Sequence, residues 1–226
     1  MTAIAEQEGT MARNAHPEVT QRRILDTAKR LFIEQGYANT SIQNIVDELG
    51  DLSKGAIYHH FKSKEDIFER LNEEDGTRYF NNLSQAQNTQ GLSGLEKLQT
   101  LFRLSFSDNE HISLTRQGMH FLDDPKEFTA NFELWSHEVP KLWAPLIQEG
   151  IEDGSIPTQY PKEAAELLSI LTNYWLVTYF FPATKKELEH RIRCLATMLN
   201  AINVPVFDDH FITEILDSGA LIMDKA

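Results

Sequence analysis

Apolar side chains recur at helical spacing along this chain, and no stretch shows sustained strand-type alternation. Ile24, Leu25, Ala28, Leu31 and Phe32 fall on one helical face, and Gly36 follows as a stop signal. Asn39, Thr40 and Ser41 offer caps for a second helix, whose Ile42, Ile45, Val46 and Leu49 face inward. Gly50 and Asp51 make a turn. Ser53 caps a third, short helix through about His60. Ser63 caps a fourth, with Asp66 three residues on, running to about Gln87. Three short helices, the second and third joined by a tight glycine-containing turn, spell a helix-turn-helix.

The same periodicity predicts further helices at about 95–107, 110–122, 126–153, 162–181, 185–203 and 208–217, with Pro140 and Pro145 kinking or splitting the third. The expected fold class is all-α. Residues 1–16 read as a flexible N-terminal arm without the apolar run of a secretory signal. Residues 17–67 read as the helix-turn-helix domain, and 68–226 as a larger helical domain. From Leu167 to Thr184 the chain carries no charge, but Ser169, Thr172, Asn173 and Thr178 interrupt it and Pro182 closes it. A helix clamped between the core and a partner subunit fits that stretch better than a membrane span. The single cysteine, Cys194, excludes an internal disulfide framework and fits a reducing cytoplasm; its helical setting suggests a buried thiol.

Charge is uneven. Residues 17–71 carry a net −1, and residues 72–226 a net −11. Within the near-neutral part, "LSKGAIYHHFKSK" (Leu52–Lys64) holds three lysines and no acid. Adjacent histidines on a helix point about 100° apart, so His59 and His60 make a poor metal pair. A polyanion fits the stretch better. In a helix-turn-helix the helix after the turn enters the major groove. Gly55 and Ala56 are small enough for close approach. Lys54 reaches a phosphate or the acceptor edge of guanine, and Tyr58, His59 and His60 donate to phosphate oxygens. Ser53, and Ser63 with Lys64, open helices whose N-termini attract phosphate; Thr40 and Ser41 do so at the second helix, with Gln43 in its first turn. Ile57 and Phe61 fall on the opposite face and read as core, as does Tyr37. The sequence assembles no catalytic set, so an enzyme is not expected, nor a cofactor or a metal.

The segment "ILDTAKRLFIEQGYANTSIQNIVDELGDLSKGAIYHHFKSKEDIF" strongly resembles the DNA-binding domain of the TetR family of bacterial transcription regulators. Ile24, Ala28, Leu31–Phe32, Gly36–Tyr37, Thr40–Ser41–Ile42, Ile45, Gly50, Ser53–Lys54–Gly55, Ile57–Tyr58, His60–Phe61 and Ser63–Lys64 carry the match. The turn "GDLS" is one residue longer than the family's usual glycine–apolar–serine turn, which bears on the tilt of the reading helix. The resemblance implies a wholly helical protein whose C-terminal domain dimerises through its penultimate helices and holds a small-molecule pocket. No family motif extends beyond residue 90.

On that architecture, Leu167–Phe181 and Glu187–Asn203 are expected to form a four-helix homodimer interface, with Leu188, Ile192, Leu195, Ala196, Leu199 and Ile202 as the inner stripe of the second helix. Among the many aromatics of 98–181, a pocket subset is expected from Phe102, Phe106, His120, Trp135, Trp143, Asn173 and Tyr174. The function expected is a DNA-binding transcription regulator, a repressor that binds a palindromic site as a homodimer and is released by a small-molecule effector. The competing expectation is a helical adaptor that binds a protein partner and no DNA.

Overall fold

A computed structural model describes residues 17–223; the expected N-terminal arm lies outside them. All regular structure in those residues is helical. The chain divides into two compact units at Glu73/Glu74.

The first unit contains α1 (Pro17–Gln35), α2 (Ile42–Leu49), α3 (Lys54–His60) and the start of α4 (Lys64–Gln87). Each boundary has a local cause. Ser41 and Asn44 form a reciprocal capping box at α2. Gly50 ends α2 at φ 73°, a left-handed conformation that glycine adopts without steric cost. The Ser53 hydroxyl accepts from the Ala56 amide to start α3. At α4, Ser63 accepts from the Asp66 amide, but the Asp66 carboxylate reaches back past the cap to the Lys62 amide at 2.7 Å. The expected near capping box is thus displaced by one residue. Ile24, Leu25, Ala28, Phe32, Ile45, Ile57 and Phe61 are buried, joined by Ile67 and Phe68 of α4. Phe32, Tyr37 and Phe68 form an aromatic triangle with centroids 4.9–5.7 Å apart.

The second unit is built from α5 (Gly94–Ser107), α6 (Asn109–Gly118), α7 (Pro125–Glu133), α8 (Pro140–Asp153), α9 (Pro161–Ile170), α10 (Lys185–Ala201) and α11 (Asp209–Ser218). A 3-10 turn, Met119–Asp123, follows α6, and π-helical turns follow α7 (Leu134–Glu138) and α9 (Leu171–Trp175). α5 and α8 meet backbone to backbone: a Cβ on Gly94 would overlap the Gly150 amide nitrogen and the Leu146 carbonyl. The predicted helix over 126–153 is therefore two helices with a π turn between them. Pro140 sits in the first turn of α8, where no amide bond is lost, while Pro145 lies inside it.

Three sequence expectations bear on this unit. The predicted helix over 162–181 ends at Ile170, passes through the π turn and leaves helix after Trp175. Its polar residues explain why the stretch is uncharged yet internal. Ser169, Thr172 and Thr178 are buried: Ser169 donates to the Trp135 carbonyl, Thr172 to Leu168, and Thr178 exchanges two bonds with Met223. Second, the inner stripe expected on α10 is found: Leu188, Ile192, Leu195, Ala196 and Leu199 are buried in the core with Ile202 packed against it, and the solvent face of α10 carries His190, Cys194, Thr197 and Met198. Third, Cys194 is exposed, because Ile192 and Leu195 take the inward positions around it. No helix among the described residues is long and apolar enough to cross a membrane.

A half-buried charged cluster centred on the buried Asp75 joins α4 to α6. Asp75 accepts from Arg78 and lies 2.6 Å from His111 Nδ1, while Arg78 also donates to Asp108, the α6 cap, at 2.6 Å. His111 stacks flat on Tyr79 with centroids 4.2 Å apart. Burial alone would raise the Asp75 pKa, but the bonds and charges of His111 and Arg78 outweigh it and hold the carboxyl below its ordinary value. A depressed folded-state pKa contributes stability above the unfolded value of about 4 and loses it as pH falls through the folded value. Asp75→Asn should cost about 1–3 kcal/mol at neutral pH and flatten the acid limb of the stability profile below about pH 4, read by urea denaturation across pH. Gly94→Ala should destabilise by about 1–3 kcal/mol through overpacking. Gly76→Ala, within α4 and with open space around its Cβ position, should stabilise by about 0.5–1 kcal/mol in the same assay.

Candidate nucleic-acid interface

α3 is seven residues long and has a buried side and a solvent side. Ile57 is fully buried and Phe61, its C-cap, nearly so. On the other side Ser53, Lys54, Gly55, Tyr58 and His59 are exposed, and Ala56 and His60 half-buried. Tyr58 is 52% exposed, a large aromatic left in solvent. A Cβ on Gly55 would meet only the Ser53 hydroxyl, so its neighbourhood is open on the outer side. The His59 and His60 rings stand edge to face, 5.4 Å apart. Lys54 and Lys62 have no carboxylate partner among the described residues, in contrast to the nearby arginines. Arg23 is paired with Asp51, and Arg30 with Glu34 and Glu48. The uncommitted positive charge of this unit therefore includes Lys54, the first residue of α3, and Lys62, just past its end.

The residues singled out at the other helix starts behave differently. Ser41 is exposed, but its amide and hydroxyl both engage Asn44. Gln43 is exposed, with its amide donating to Asp47 at 2.6 Å. Thr40 is buried: its hydroxyl donates to the Gly36 carbonyl at 2.9 Å and accepts from Gln35, and its amide donates to Tyr37. It ties the end of α1 to the start of α2. Lys64 is half-buried; its ammonium donates to the Tyr37 carbonyl at 2.8 Å and lies 4.0 Å above the Tyr37 ring. Burial lowers the Lys64 pKa, with the Glu65 charge acting against it. The Tyr37 hydroxyl donates to Glu65 at 3.0 Å, and burial together with that carboxylate raises the phenol pKa. Sequence reasoning placed Tyr37 in the core but missed this lock and the Arg23–Asp51 pair. Both join residues 27–28 positions apart, beyond the reach of helical periodicity.

The residues expected to line a ligand pocket lie in several settings. Phe102 stacks on Trp143 with centroids 5.1 Å apart and packs with Phe106 and Phe207 in the core. Trp143 Nε1 is buried without a hydrogen-bond partner. Tyr174 belongs to a second aromatic group with Phe128, Phe132 and Phe180, and its hydroxyl donates to Asn131 at 2.8 Å. Burial pushes its pKa up to about 12. Asn173 donates to the Ser169 carbonyl, Trp135 is half-buried, and His120 is exposed with Nδ1 near the Gln117 carbonyl. An open groove lined by Gly91–Ser93, Glu149 and residues 152–155 includes none of them.

A family model described as "Bacterial regulatory proteins, tetR family" matches residues 24–71. The HTH-type transcriptional repressor KstR2 of Mycolicibacterium smegmatis is 33% identical over 145 residues, covering 62% of this chain and 69% of that protein. KstR2 of Rhodococcus jostii is 30% identical over 148 residues, covering 63% and 70%. Among solved structures, a TetR-family transcriptional regulator from Pectobacterium atrosepticum superposes with a TM-score of 0.60 at 21% identity, covering 85% of this chain and 98% of that one. The family match and these relatives make the chain a DNA-binding transcription regulator of the helix-turn-helix type. The chain belongs to the tetR family of bacterial regulatory proteins. The adaptor reading is set aside by that membership.

Thr40→Val should lower the stability of the first unit by about 1–2 kcal/mol, since the Gly36 carbonyl loses its donor inside the fold. Thermal denaturation followed by circular dichroism measures it.

Proposed function

We propose that the protein is a repressor that binds a roughly palindromic operator as a homodimer and is released by a small molecule held in the second unit. The observation that carries the reading is the solvent face of α3: Lys54 without an acidic partner, Gly55 and Ala56 offering little bulk, and Tyr58 and His59 exposed, all on a helix fixed from behind by Ile57 and Phe61. Such a helix suits the major groove. In this reading Ser53, Lys54, Gly55 and Ala56 meet base edges or nearby phosphates. Tyr58, His59 and His60 hold phosphates, as do Ser41 and Gln43 at the start of α2. Lys64 serves first to brace Tyr37, and any phosphate contact uses its remaining N–H groups. Thr40 acts from inside the fold.

Repression is supported by the KstR2 relatives, which are themselves named repressors. Pairing of two copies uses the outer faces of α9 and α10, where Leu167 and Met198 are 39% and 44% exposed, in a two-fold arrangement. The effector reading is supported by Trp143 Nε1, since few buried donors in native proteins go unpaired and a ligand acceptor would satisfy it. α4 contributes residues to both units and is the covalent route by which an effector alters DNA affinity. A coupling of about 1–3 kcal/mol suffices. The acidic second unit is repelled by DNA, which leaves the first unit to make the contact. The working compartment is the cytoplasm, where the bacterial chromosome lies.

Selection of bound fragments from random duplexes should return a sequence with two related half-sites. With about four phosphates neutralised per subunit, log K should fall against log salt with a slope near −7. Lys54→Ala should weaken binding about tenfold or more, with part of the loss confined to particular bases. Lys62→Ala should weaken all duplexes alike and make the slope shallower by about 1. Affinity unchanged in the Lys54→Ala, Lys64→Ala double variant would falsify the assignment. Leu167→Asp with Met198→Asp should yield monomers by analytical ultracentrifugation and abolish tight operator binding.

A further inference from the structure

The turn between α2 and α3 is held to α1 by charge. The Arg23 guanidinium donates two hydrogen bonds to the Asp51 carboxylate, at 2.9 and 2.7 Å. Two turns further along the same face of α1, Arg30 pairs with Glu48 near the end of α2. The turn and the C-terminal end of α2 are thus gripped at two points from one helix.

The Arg23 and Asp51 side chains are 44% and 59% exposed, so this pair contributes little to stability. Its geometry matters more than its strength. A fork of two parallel N–H···O bonds fixes direction as well as distance, which a single point charge does not. The segment it directs has few other restraints. Leu52 and Ala56 are half-buried, Ser53, Lys54 and Gly55 are exposed, and the first fully buried side chain of α3 is Ile57. The first turn of α3 is therefore aimed from its start, by the Gly50 cap and the Asp51 fork. The fork also neutralises a carboxylate that lies only three positions before Lys54. Unpaired, Asp51 would repel the polyanion that Lys54 attracts.

We infer that Arg23 and Asp51 are positioning residues for sequence recognition. The fork sets the direction in which the first turn of α3 enters the groove, and so which bases it prefers, without itself touching DNA. This rests on the reading of α3 as the groove helix.

A double-mutant cycle read as base preference tests it. The full-length protein, Arg23→Gln, Asp51→Asn and the double variant each select duplexes from a random library, and helix content and thermal midpoint are measured on the same samples. The expected result is that each single variant loses discrimination by roughly threefold or more at the base pairs beneath Lys54–Ala56. The double variant should match the single variants rather than their sum, with helix content unchanged. A uniform change in affinity with the base preference intact overturns the proposal. So do additive effects, or a loss of preference that tracks a loss of helix. If the unaltered protein selects no sequence at all, the groove reading of α3 fails instead, and the two failures are told apart.

Discussion

A helix of seven residues does not hold itself together in water. α3 persists because Ile57 and Phe61 are sunk into a small core made by Ile24, Leu25, Ala28, Phe32 and Ile45, closed by Ile67 and Phe68 of α4. Everything the first unit offers to solvent depends on that anchoring. It leaves the opposite side of α3 without a structural duty, and that side carries Lys54, Gly55, Tyr58 and His59. Side chains can vary there at little cost to folding.

Much of this was legible in the sequence, for a physical reason. Caps, stops and apolar faces act within four residues, so Ser41, Gly50, Ser53 and Ser63 announced their helices and Ile57 and Phe61 their burial. Interactions between distant segments left no such trace. Asp51 reads as a turn former whether or not Arg23 holds it, and Lys64 reads as a surface cation until Tyr37 is placed beneath it. Thr40 carries a helix-start signal, yet its hydroxyl is spent inward on Gly36.

The second unit was less legible because its rules are those of packing. The uncharged stretch from Leu167 resembles one long buried helix until its hydroxyls are followed to Trp135 and Met223, which lie in two other segments. The inner stripe of α10 was legible because periodicity shows that a face is buried, though not which residues bury it. Aromatic richness likewise marked two packed groups, around Trp143 and around Tyr174, whose membership periodicity does not give.

The glycine contact between α5 and α8 limits how the second unit can deform. Main chain presses on main chain at Gly94 and Gly150, and no rotamer there can yield. Phe102 and Trp143 lie about two turns away along the same pair of helices, where side chains separate the backbones. The pair therefore behaves like shears riveted at one end. Any expansion of the interior would have to open the blades at the Trp143 end, turning a change in volume into a change in angle.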